Sequence, residues 1–199
     1  NIATVRITVN PAQGAPPKVE SVVINDGSAQ RSMVTSVTVT FDTVVTIQNG
    51  AFSIVNRANN SAVNLGVTQT TILGRTVVTL TFSGPGVIGG SLADGNYLLT
   101  VAADKVHAGG WSLDGNGDGT GGDNFVFGAS AVDRFFRLFG DQDGDRDVDS
   151  VDRLAFLRAK GSMSTQPTYR WYFDYDQDGD VDDSDVSEFD LRYRKKLAF

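Results

Sequence analysis

The sequence predicts a multidomain chain in which an all-β sandwich is followed by a small α-helical module. Three observations carry that expectation. Up to about residue 139, short runs of alternating apolar and polar residues are broken by glycine-rich turns. At Gly140 the pattern changes to aspartate-dense segments. Two of these segments, opening at Asp141 and Asp174, repeat with an offset of 33 residues, and each leads into a helical pattern.

Within the first part, β runs are expected at Val19–Ile24, Ser32–Phe41, Ala51–Val55, Ala62–Thr70, Arg75–Phe82, Asn96–Ala102 and Val132–Phe139. In Ser36–Phe41, valines and phenylalanine take one face and Ser or Thr the other, as a half-buried strand requires. The opening residues, Ala3–Val9, alternate in the same way and are expected to be the last strand of a preceding repeat (residues 1–10). Residues 11–17, with Gly14, Pro16 and Pro17, then form a linker. The expected divisions are therefore 1–10, 11–17, a sandwich over 18–139 and a loop–helix pair over 140–199. The connection at Phe139–Asp141 is short, which predicts a fixed seam between the last two.

Of the net charge of −7, about −6 falls in residues 140–199, which hold 15 acids against 9 bases. An acidic surface of this kind argues against a nucleic-acid partner, and no apolar run is long enough to insert into a membrane. The chain has no cysteine and one histidine, His107, so thiol chemistry and a His/Cys zinc site lack their residues. Thirteen of the 24 acids fall in the two repeats, and the β part has Glu20 as its one glutamate, so no enzymatic activity is expected.

The repeats place carboxylates where a hard cation needs oxygens. An EF-type loop draws its ligands from the first, third, fifth, seventh, ninth and twelfth places. These are Asp141, Asp143, Asp145, Asp147, Asp149 and Asp152 in one copy and Asp174, Asp176, Asp178, Asp180, Asp182 and Asp185 in the other. Two calcium ions are expected. Magnesium suits such loops less well, since it retains its waters. Asp149 with Asp152, and Asp182 with Asp185, also read as caps for the helices that follow. Val151, Leu154 and Leu157 space one apolar stripe on the first helix, and Val186, Phe189 and Tyr193 space one on the second. The eighth-place valines, Val148 and Val181, should pair the two loops. The second copy has glycine at its sixth place (Gly179), whereas the first has Arg146 there and a glycine, Gly144, two places earlier.

A duplicated Asp-x-Asp-x-Asp loop followed by one helix, without the leading helix of an EF-hand, resembles the type I dockerin family over about residues 140–199. That resemblance implies a calcium-dependent fold and a cohesin-like protein partner, met by the tenth and eleventh loop places. Here these are Ser150 and Val151, then Asp183 and Ser184. The runs Val34–Phe41 and Leu92–Val101 resemble bacterial Ig-like domains of large surface proteins. Together the two resemblances imply a secreted or cell-surface modular protein with a calcium-binding structural or adhesion role. Docking of a cohesin-like partner and carbohydrate binding by the β part are the alternatives.

Asp114, Asn116, Asp118 and Asp123 alternate with glycine in a further segment, to which Asp104 could add a carboxylate. A third calcium site and a flexible hairpin loop are both compatible with it. Trp111, Tyr97 and the phenylalanines of 125–127 and 135–139 fit either a sugar-stacking surface or a core.

Overall fold

A computed structural model describes residues 14–199; the expected opening strand and the start of the linker lie outside them. The first strands are β1 (Val19–Ile24), β2 (Ser36–Phe41), β3 (Thr46–Ile47), β4 (Phe52–Asn56), β5 (Asn64–Ile72) and β6 (Arg75–Ser83). After them come β7 (Val87–Ile88), β8 (Ser91–Leu92), β9 (Gly95–Val101), β10 (Val106–Ala108), β11 (Trp111–Ser112), β12 (Phe125–Phe127) and β13 (Phe136–Arg137). Two α-helices close the chain, α1 (Ser150–Ala159) and α2 (Asp183–Arg192).

One antiparallel sheet runs β1-β2-β6-β5, and a second is built on β9, which pairs with β4 on one side and with β12 and β13 on the other. Val37, Val39, Phe41, Val78 and Leu80 of the first sheet and Ile54, Leu99 and Val101 of the second are buried in one shared core. Strict alternation along β2, β6 and β9 puts them there. The expected strand over Val132–Phe139 shrinks to Phe136–Arg137. A short 3-10 turn, held by the Ser130/Asp133 capping box, takes up Ala131–Asp133 and leaves Val132 exposed.

The expected division into a β-sandwich followed by a separate helical module is overturned: the chain is one mostly β domain into which the aspartate loops and both helices are built. A second group of buried side chains, Phe156, Phe173, Phe189, Val148 and Val181, also contains Met33, Phe136, Leu138 and Phe139 from the β part. Phe156 stacks on Phe189 at 4.3 Å between ring centroids, and Phe173 meets Phe156 edge-on at 5.2 Å. Backbone pairing crosses the same boundary: Arg31 N–H donates to Asp141 O (2.9 Å) and Leu138 N–H to Arg31 O (3.0 Å). The Ser32 hydroxyl accepts from Gly140 N–H (2.8 Å) and donates to Tyr172 O (2.5 Å). Asp94, between β8 and β9, binds Arg137 of β13 and Arg192 of α2, each at 2.6 Å. Gly144 belongs to this boundary too, since a Cβ there would lie 2.1 Å from Ala29 O. The fixed seam expected at Phe139–Asp141 would bring two separate cores into contact, whereas here Met33, Phe136, Leu138 and Phe139 share one core with both helices.

Candidate metal centres

Each aspartate loop is organised locally, by carboxylates accepting the backbone N–H groups of their own turn. The fully buried Asp141 takes Gly144 N–H on Oδ1 (2.6 Å) and Arg146 N–H on Oδ2 (3.0 Å). Asp174, its counterpart, takes Gly179 N–H (3.0 Å) and the Tyr169 hydroxyl (2.6 Å) on Oδ2. At the far end, Asp152 accepts from Gln142 N–H (2.9 Å) and Asp149 N–H (2.8 Å). Asp185 does the same with Tyr175 N–H (2.6 Å) and Asp182 N–H (2.8 Å). Asp149 and Asp182 cap α1 and α2 through Val151 N–H and Ser184 N–H, completing the expected capping boxes.

These turns bring ten of the twelve expected residues together. In the first loop Asp141, Asp143 and Asp152 converge, as do Asp147, Asp149 and Asp152; in the second, Asp174, Asp176 and Asp185, and Asp180, Asp182 and Asp185. Within each group one oxygen per residue lies within 4.8 Å of the others, and Asp152 and Asp185 are shared between groups. The fifth-place residues Asp145 and Asp178 fall outside these groups; each is exposed and accepts the N–H two residues on, Asp147 and Asp180 respectively.

Four carboxylate oxygens in the loops, one each on Asp143, Asp147, Asp174 and Asp180, are buried and have no hydrogen-bond partner. Such atoms forfeit their hydration without compensation. The electrostatics agree. Burial, reinforced by Asp152 and Asp145, pushes the Asp141 carboxyl up to about 7, despite the opposing N–H bonds. Burial and neighbouring carboxylates raise Asp152 and Asp185 to about 6, and raise Asp143, Asp176 and Asp180 in the same direction.

The loops do not pair with each other through their valines. Val148 is buried but bonds the C-terminal segment, its N–H donating to Lys195 O (3.0 Å) and its carbonyl accepting from Arg194 N–H (2.7 Å). Val181 instead pairs with Ser162 and Gly161 (2.9 and 2.8 Å). The Val151, Leu154 and Leu157 stripe of α1 faces outward, 51–53% exposed, while Phe156 and Ala159 are buried. Asp152 explains this. Its carboxylate has to turn inward to close the loop, and the residues three, four and seven places on share its face. In α2, Asp185 and Phe189 have the same relation, with Val186 and Tyr193 packed beside them.

Arg146 occupies a glycine-type conformation, with φ of 79° against 103° at Gly179. It is held there from the β part: its guanidinium donates to Asn96 Oδ1 (2.6 Å) and lies over the Phe136 ring at 4.3 Å. The arginine thus trades local backbone ease for an anchor to β9, a role that composition alone does not reveal.

Asp114, Asn116, Asp118 and Asp123 do meet in one turn, but its central carboxylate is already matched. Asp114 accepts from Gly117, Asp118 and Gly119 N–H (2.7, 3.1 and 2.8 Å) and lies 3.1 Å from the Lys18 ammonium. Asn116 donates to Asp118 and Asp123, both at 3.2 Å. Asp104 is directed to Lys105 (3.9 Å). Tyr97, Phe135, Phe136 and Phe139 are buried, so these rings form core and not a sugar-stacking platform. His107 is half-buried on β10, within reach of Asp104 O (3.0 Å) and Ser112 Oγ (3.4 Å). On the proposed partner face, Ser150, Val151, Asp183 and Ser184 are all exposed.

No family model matches the chain, and no curated protein matches it. Among solved structures, a crystal structure of the S-layer protein rSbsC is 23% identical, with a TM-score of 0.35, over 56% of this chain and 13% of that one. The N-terminal part of the bacterial S-layer protein SbsC is 24% identical, with a TM-score of 0.35, over 56% of this chain and 23% of that one. Domains 1–6 of SbsC are 22% identical, with a TM-score of 0.36, over 56% and 13% of the two chains. The likeness thus spans less than a quarter of each of those chains, and at these scores it carries no functional argument.

Proposed function

We propose that this chain is a non-catalytic, calcium-stabilised structural region of a secreted or cell-surface protein. The observation that carries the reading is the set of orphaned, buried carboxylate oxygens in the convergent carboxylate groups, two in each loop joined through Asp152 or Asp185. A hard cation supplies the partner these atoms lack, and calcium accepts the many flexible oxygen ligands that magnesium does not. Asp141, Asp143, Asp147, Asp149 and Asp152 would hold one ion and Asp174, Asp176, Asp180, Asp182 and Asp185 the other. The ion would cancel the repulsion within each cluster and fix the start of the helix that follows.

Calorimetric titration of chelator-treated chain with calcium tests this. Two sites are expected, with Asp174→Asn leaving one; an unchanged stoichiometry in that variant would remove the assignment. The pH dependence is a further expectation of the same experiment. With Asp141 near 7 and Asp152 and Asp185 near 6, the metal-free folded chain holds protons that the unfolded chain releases nearer pH 4. Its stability should therefore fall as pH rises from about 4 to about 7. Calcium displaces those protons, so affinity should rise through the same window and binding should release protons.

A second reading, recruitment of a protein partner through α1, is favoured by the half-exposed row Val151, Leu154 and Leu157. It predicts that the calcium-loaded chain binds a cohesin-like domain and that Leu154→Glu abolishes this without changing calcium stoichiometry. Absence of binding by the unsubstituted chain would eliminate it.

A further inference from the structure

The free edge of the first sheet presents an exposed, ready-made pairing pattern. β5 has nine residues, is exposed along nearly all of them, and among the described residues pairs only with β6. Its sequence, Asn-Leu-Gly-Val-Thr-Gln-Thr-Thr-Ile, contains no charged residue and no proline. Its ladder with β6 runs without a bulge from Asn64↔Ser83 to Ile72↔Arg75. The opposite edge of the same sheet shows the devices that discourage pairing: β1 carries Glu20, engaged by Arg75 at 3.0 Å, and its ladder is interrupted between Val19 and Ser21.

The register decides which groups are free. β5 and β6 are joined by the two-residue turn Leu73-Gly74, both with positive φ (49° and 80°), so the closing pair Ile72↔Arg75 is hydrogen-bonded and every second pair after it. The N–H and C=O groups of Leu65, Val67, Gln69 and Thr71 therefore point away from β6.

We infer that β5 pairs antiparallel with β5 of a second copy of this chain, about a two-fold axis at Thr68. About that axis Leu65 lies opposite Thr71 and Val67 opposite Gln69, so each outward residue meets another outward residue. Every free N–H on one copy then faces a free C=O on the other. The intervening pairs are Gly66 with Thr70 and Thr68 with itself, small or hydroxyl side chains that fit across strands. No like charges oppose one another anywhere along the strand. The inner faces of the two copies, Leu65 and Val67, would extend the open groove that β5 forms with Phe52 and Ile54. The sheets would join into one continuous sheet, over an interface at the small end of the specific range, with a dissociation constant of about 10 µM to 1 mM.

The test is sedimentation velocity of the full chain in calcium-containing buffer over a concentration series up to about 1 mM. The mass should move from 21.3 kDa towards twice that value. Val67→Glu with Gln69→Glu sets like charges opposite each other and should leave a monomer. Val67→Glu with Gln69→Lys turns the same pair into an attraction and should restore the dimer. Both positions are exposed, and circular dichroism verifies that each variant is folded. A monomer at every concentration, or a dimer that the paired glutamates leave intact, would overturn the inference.

Discussion

Removing calcium is expected to lower the melting temperature of this chain by about 15–30 °C. Two sites each filled at about a thousand times their dissociation constant contribute about 8 kcal/mol, and a domain of this size shifts by about 2–4 °C per kcal/mol. The effect is large because the metal-free state holds ten carboxylates in four convergent groups, two to a loop, and leaves buried oxygens unpartnered. Without the ion, relief comes from protonation or from opening the loops. Opening would release Asp152 and Asp185 and, with them, the inward faces of α1 and α2. Far-ultraviolet circular dichroism through the melt, in calcium and in chelator, is the measurement. Coincident melts would reduce both loops to solvated acidic turns.

Asp94→Ala is expected to destabilise the calcium-loaded chain by about 3–5 kcal/mol, read from urea unfolding. Arg137 is 1% exposed, its Nε has no partner, and Asp94 is its counter-charge at 2.6 Å. Burial pushes the Asp94 carboxyl up, but Arg137 and Arg192 together outweigh it and hold the group below the ordinary carboxylate range. Asp94 also accepts Phe139 N–H (2.8 Å), so its removal frees β13 and α2 at once. Adding Arg137→Met should recover much of the loss, because the buried charge is then gone as well. The substitution also tests the single-domain architecture. One cooperative transition moving as a whole is expected; a shift confined to one of two separate transitions would restore the two-domain picture.

The two aspartate loops were legible because their geometry is local. Carboxylates at alternate places of a twelve-residue turn meet through backbone bonds spanning two to ten residues, such as Asp141 to Gly144 and Asp152 to Gln142. The helix caps have the same character: Asp149 and Asp152 lie within one turn of each other, and their type and spacing state the outcome. Strands β2, β6 and β9 were legible through alternation, which a single buried face imposes. That Asp145 and Asp178 stand outside the convergent groups was not legible, since all six alternate places look equivalent until the turn is formed. Nor was Lys18, which lies 96 residues before Asp114 and reaches it only once β1 is paired.

By itself, then, the sequence determined where carboxylates gather, where helices begin and which strand faces are apolar. All of these follow from residue spacing within about a dozen positions. The tertiary structure decided the rest. It turned α1 so that Val151, Leu154 and Leu157 face out, sent Val148 to Lys195 and Val181 to Ser162, and drew Met33 into the core of the helices. It also placed Arg146 on Asn96 and Arg192 on Asp94. Each of these depends on which surfaces meet across tens of residues or more. Spacing alone cannot separate two domains sharing a seam from one domain sharing a core; the shared contacts of Met33, Ser32 and Asp94 do.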